Sequence, residues 1–119
     1  DTGCSWHLPQ RIGQARAMGL ALTGKKLPAN QAAEWGMIWE AVEDNAFAAS
    51  VDTLAAKLAT LPTKALVRTR QAMQLAHTHT FEEHLTYEGT LMRELGQSAD
   101  YVEGVSAFLE KRAPKFTGE

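Results

Sequence analysis

The sequence predicts a mainly α-helical fold of five or six helices with one short strand, and three observations carry that expectation. Apolar residues recur at helical spacing through most of the chain; Phe47, Val51, Leu54, Leu58 and Leu61 line one face of a single helix. Start and stop signals bracket these stripes, most plainly at Thr80-Phe-Glu-Glu83, a hydroxyl followed three residues later by a carboxylate. Only Met37-Ile-Trp-Glu-Ala-Val42 has the apolar, β-branched character of a strand.

In chain order, Asp1-Thr-Gly-Cys4 reads as a small-residue turn, and Pro9, which lacks an amide donor, interrupts any early helix. A helix then runs from Gly13 with Ala15, Met18, Ala21 and Leu22 on one side and Gly24 as its C-terminal cap. Residues 27–36 form a short helix, with Pro28 in its first turn and Gly36 at its stop. After the 37–42 strand, Glu43-Asp44-Asn45 turns the chain into the helix of residues 46–61. Pro62 ends that helix and opens the next, from Thr63 to about Ala76, with Lys64, Arg68, Arg70 and Gln71 turned to solvent. The Thr80 cap opens a helix carrying Phe81, Leu85, Leu91, Met92 and Leu95, which Gly96 closes. Ser98 caps the last helix, with Val102, Val105, Phe108 and Leu109 as its apolar stripe, and Pro114 and Gly118 leave a frayed tail.

The chain has 119 residues, enough for one modest core, with 45% apolar and 22% charged residues, a globular balance that argues against intrinsic disorder. A net charge of −2 gives no electrostatic drive toward nucleic acid or an anionic membrane, so any anion must be met by a few local cations. No apolar run reaches membrane-spanning length and no secretory signal is visible. With Cys4 as the single cysteine there is no internal disulfide, and a reducing cytoplasmic setting is expected. The chain opens on Asp1 and not on methionine, and its strand has no edge to pair with. Further structure on the N-terminal side is therefore expected.

Three runs carry a family resemblance. They are Asp1-Thr-Gly-Cys-Ser-Trp-His-Leu-Pro9 with Ala15-Arg-Ala-Met-Gly-Leu-Ala-Leu-Thr-Gly24; Leu27-Pro-Ala-Asn-Gln-Ala-Ala-Glu-Trp-Gly-Met-Ile-Trp39; and the closing Ser98-Ala-Asp-Tyr-Val-Glu-Gly-Val-Ser-Ala-Phe-Leu-Glu-Lys-Arg-Ala-Pro-Lys-Phe-Thr-Gly118. Together they resemble the second half of the crotonase (enoyl-CoA hydratase/isomerase) superfamily. The resemblance implies that residues 1–119 are the C-terminal helical portion of an α/β crotonase-like domain, and that 63–119 serve as a trimerisation segment. It implies an acyl-CoA isomerase, the likeness being greatest to the branch that converts a ring-1,2-epoxyphenylacetyl thioester to its oxepin. A 2-enoyl-CoA hydratase is the alternative, since the glutamates of hydration would precede residue 1. An inactive helical assembly module is a third reading, should the 119 residues stand alone. Coenzyme A would belong to the substrate, with no separate cofactor, and the assembly would be a trimer or dimer of trimers.

By the same resemblance, Asp1 matches the catalytic acid–base of the isomerases. A carboxylate is a weak base in water, and becomes competent when amide donors hold the thioester enolate it creates. Without the resemblance, Asp1 reads as a turn residue. Phe108 and Lys111 match positions that reach the CoA nucleotide of a neighbouring subunit; read without it, Phe108 is core and Lys111 complements the helix dipole. Met92 is a candidate for the acyl pocket or for the core. Glu88, on an apolar face, needs a hydrogen-bonding partner if buried. His77, His79 and His84 lack a cysteine or carboxylate pattern that would complete a metal site, so no metal is expected. Cys4 is expected to be a packed, inert thiol. His7, Gln10 and Arg11 depart from the family pattern beside the acyl pocket.

Overall fold

The computed structural model describes residues 2–119. They form two compact units whose boundary lies between Ser50 and Val51. Among the described residues there are seven helices and no strand.

The first unit holds α1 (Cys4–Ile12), α2 (Gln14–Thr23), α3 (Ala29–Glu34) and the start of α4 (Asp44–Ala59). The expected break at Pro9 does not occur: Pro9 lies inside α1. Gly3, at φ 85°, starts the helix, its carbonyl accepting from the amides of Trp6 and His7 at 3.1 and 2.9 Å. Pro9 forfeits one bond to the preceding turn, but its own carbonyl accepts from Gly13 at 2.9 Å and carries the helix on. The chain breaks instead at Gly13 (φ 82°, ψ 156°), a conformation open to glycine almost alone. Ile12, Ala17 and Ala32 are the buried residues of this unit, and the Arg16 guanidinium lies 5.0 Å from the Trp35 ring.

Gly36 (φ 75°) ends α3 as expected: its amide donates to Ala33 (3.0 Å) and that of Met37 to Ala32 (2.9 Å), the paired bonds of a left-handed helix stop. The same bonds help explain why the 37–42 strand is absent. The Met37 amide is already used, and no other described segment offers a ladder edge. Trp39 is accordingly exposed. No residue of α4 is buried; Phe47, Val51 and Leu58 of its expected apolar stripe lie open.

The second unit contains the rest of α4, α5 (Thr63–Leu75), α6 (Phe81–Leu95) and α7 (Ala99–Glu110). Pro62 precedes α5, where a missing amide donor costs nothing. The capping box forms as the sequence requires: Glu83 N–H donates to Thr80 Oγ1 at 3.3 Å, and Thr80 N–H to the Glu83 carboxylate at 2.8 Å. The Thr80 amide, and then the Thr80 hydroxyl donating at 2.9 Å, hold the Glu83 carboxyl below its ordinary range. Helices α5 and α6 pack together, and Arg68, expected to face solvent, ties them. Its Nη2 and Nε donate to Glu94 at 2.7 and 3.2 Å, and its Nη1 to Gln71 at 3.0 Å.

The tail is not frayed. Residues 112–119 return along α7 as an extended strap. Arg112 donates to both oxygens of Glu103 at 2.6 and 2.8 Å, and the Lys115 amide adds a bond to that carboxylate at 2.7 Å. At the other end, the amides of Thr117 and Gly118 donate to the two oxygens of Asp100 at 2.7 and 2.9 Å. The Asp100 amide donates to the carbonyl of Glu119 at 3.0 Å. That bond satisfies one of the N-terminal amides that α7 leaves without a helical partner, while Ser98 Oγ accepts from Tyr101. Seven extended steps reach about 23 Å, more than the roughly 18 Å that the helix rises between residues 100 and 112. The strap therefore returns along the full helix without strain.

Candidate functional site

The stripe of α7 that Ser98 sets in register places Tyr101, Val105 and Phe108 on one side, three and four residues apart. With Lys64 and Ala65 of α5, Leu95 of α6 and Phe116 of the strap, they line a cleft of about 470 Å³. That volume is in the range of small-molecule sites. Its walls are almost wholly apolar and three are aromatic. Gly104 lies where the strap crosses, and a Cβ there would stand 3.6 Å from Phe116 Cε1. Gly118 closes on Thr63 in the same way, its virtual Cβ 3.5 Å from the threonine Cβ.

Charge at the cleft is organised by pairs. Lys64 Nζ sits 3.4 Å from Glu94 Oε1, so one cation at the wall is shared with a carboxylate already held by Arg68. The Arg68 hydrogen bond, ahead of the Lys64 charge, keeps the Glu94 carboxyl below its usual range, and Arg68 is raised in turn. Under the strap, the Arg112 hydrogen bonds and then the Lys115 amide lower Glu103 to about 2. Arg112 is raised, first by Glu103 and then by Glu110. Asp100, only 5% exposed, spends both oxygens on strap amides, with Thr117 Oγ1 a further 3.4 Å contact. Its carboxylate is committed to structure. The cleft is thus an apolar, aromatic-rich lining with one paired cation, Lys64, at its wall.

The sequence-derived candidates are not gathered in one place. Phe108 lines the cleft and is 83% exposed. Lys111 follows it at the end of α7, at φ 55° the one described non-glycine residue with positive φ. Met92, on α6, is 74% exposed and is not among the lining residues. Asp1 lies outside the described residues. Glu88 is at the surface, 3.6 Å from His84 Nε2. The Nδ1 atoms of His84 and His79 meet at 3.3 Å, one donating and the other accepting, and Tyr87 stands edge-on to His79. No group of three or more His, Cys, Asp or Glu among the described residues is arranged to hold a metal. Cys4 is exposed and not packed, correcting the sequence expectation. Tyr101, Phe116 and Lys64 were missed as cleft residues, and Asp100 as the strap anchor. The Tyr101-x-x-x-Val105-x-x-Phe108 spacing could have found the α7 wall; nothing local announces a tail that doubles back.

Comparison with known proteins decides the family. The model for "Enoyl-CoA hydratase/isomerase" matches residues 1–119. The chain belongs to that family. It is 52% identical to the 1,2-epoxyphenylacetyl-CoA isomerase of Escherichia coli (strain K12) over 119 residues, covering 100% of this chain and 45% of that protein. The crystal structure of an enoyl-CoA hydratase from Geobacillus kaustophilus superposes with a TM-score of 0.94 at 31% identity, covering 99% of this chain and 45% of that one. An enoyl-CoA hydratase from Mycobacterium tuberculosis H37Rv gives 0.89 at 32%, covering 98% and 46%. The chain thus spans a little under half the length of its enoyl-CoA hydratase/isomerase relatives, and is the helical C-terminal part of their fold. No helix among the described residues is long and apolar enough to cross a membrane.

Proposed function

We propose that this chain is part of an acyl-CoA isomerase that converts 1,2-epoxyphenylacetyl-CoA to its oxepin in aerobic phenylacetate breakdown. The observation that carries the proposal is the 52% identity, over all 119 residues, to an enzyme of that name. In the reaction the bond between the two epoxide carbons opens and the ring expands, with no atom gained or lost. Asp1 acts as the acid–base that moves a proton on the acyl chain, allowing double-bond shifts as well. The amides that hold the thioester enolate come from outside this chain. Coenzyme A is part of the substrate and no further cofactor takes part. The cleft at Phe108 takes the flat nucleotide end of a neighbouring subunit's thioester, with Lys64 in its wall and Lys111 at the end of α7 as the cations for phosphate. Met92 belongs to the acyl pocket. The enzyme works in the cytoplasm as a trimer or dimer of trimers, with 63–119 at the subunit contacts.

Product analysis of the longer protein that carries this chain is the test. With 1,2-epoxyphenylacetyl-CoA, a product of unchanged mass and altered absorbance is expected. The second reading, a 2-enoyl-CoA hydratase, has support in the hydratase names of the structural relatives. It requires a product heavier by one water from a 2-enoyl-CoA, with the epoxide left untouched.

A further inference from the structure

We propose that the strap 112–119 is a working wall of the ligand cleft: Phe116 is a further ligand-contacting residue, and Asp100 and Glu103 are the positioning residues that hold it there. Phe116 is the only cleft residue the strap contributes, and its place depends on the bonds that fix the strap at both ends. Asp100 anchors Thr117 and Gly118, the residues directly after Phe116, while Glu103 anchors Lys115, directly before it. An aromatic ring is thus clamped between two anchored neighbours, and Gly104 leaves room for it against α7. A tail that merely covered α7 would need neither a buried carboxylate nor an aromatic side chain turned to an open cleft. With Tyr101 and Phe108, Phe116 offers a third ring to one flat group, and Lys64, 3.4 Å from Glu94, is the cation of the lining. The occupant fitting that lining is a flat heteroaromatic ring bearing anionic groups, such as the nucleotide end of an acyl-CoA. The proposal rests on the nucleotide-binding role given to the cleft above and deepens it.

The test compares 1,2-epoxyphenylacetyl-CoA with the matching pantetheine thioester, which has the same reactive end and no nucleotide, in the longer protein that carries this chain. Phe116→Ala and Asp100→Asn are expected to raise KM for the CoA thioester about tenfold, the loss of one stacking partner. The kcat for that substrate and both constants for the pantetheine thioester should stay within twofold. Phe116→Trp is expected to restore the CoA preference. Phe108→Ala separates the two claims. If it lowers the CoA preference while Phe116→Ala and Asp100→Asn do not, the strap has no part in binding and the inference falls alone. If none of the three changes the preference, the cleft does not receive the nucleotide and both claims fall. Equal losses on both substrates from Phe116→Ala would reduce the strap to a stabilising element and overturn the inference.

Discussion

Replacing Asp100 by alanine tests how the strap is held. Two backbone amides, of Thr117 and Gly118, lie 2.7 and 2.9 Å from its two oxygens, and hydrogen bonds to a charged group contribute roughly 1.5–3 kcal/mol each. The freed amides belong to a surface segment and return to water, so no penalty for buried, unpaired donors is added. The Glu103 anchor remains in place. Taking the low end for both bonds, local opening of the strap becomes about 3 kcal/mol easier, or roughly 150-fold. Hydrogen exchange at Thr117 and Gly118 should accelerate by that factor. Amides in the middle of α7 should change far less, because opening of the strap is a local event. Unchanged protection at Thr117 and Gly118 in the variant would refute the anchoring role. So would random-coil exchange at those amides in the unsubstituted protein.

Two further outcomes follow from the same region. Lys111 holds a left-handed conformation that costs a residue with a Cβ roughly 1–2 kcal/mol, so Lys111→Gly should stabilise the protein by about 0.5–1 kcal/mol after the lost charge at the helix end is counted. A higher denaturant midpoint at unchanged slope is the readout, and a lower midpoint contradicts it. Glu103 is lowered from 4.5 to about 2, so its contribution is complete above about pH 4.5 and is lost as pH falls toward 2. The protection factor of the Lys115 amide should be flat from neutral pH down to about 5, and fall below 4.5. Glu103→Gln should remove that dependence.

Much of the fold was legible because helix signals are local. The Thr80–Glu83 box, the Ser98 cap and the glycine stops at 24 and 36 need only neighbours a turn away, and the structure has all four. Pro9 misled because one lost amide does not end a helix when a stronger stop, Gly13, follows. Met37–Val42 misled because strand composition cannot form a strand without an edge. The site was half legible. Phe108 follows from the α7 stripe and the family motif, whereas the pairing of Asp100 with Thr117 and Gly118 joins residues seventeen and eighteen positions apart. No periodicity records such a contact.

The proposed isomerisation depends on a carboxylate at the first position. The most direct measurement is turnover of 1,2-epoxyphenylacetyl-CoA by the longer protein carrying this chain, with Asp1 and with Asp1→Asn, at equal concentration and verified folding. Loss of about a hundredfold or more in kcat is expected for the asparagine variant, as removal of a positioned acid–base requires, with KM little changed. Turnover equal to that of the unsubstituted protein would remove Asp1 from the chemistry.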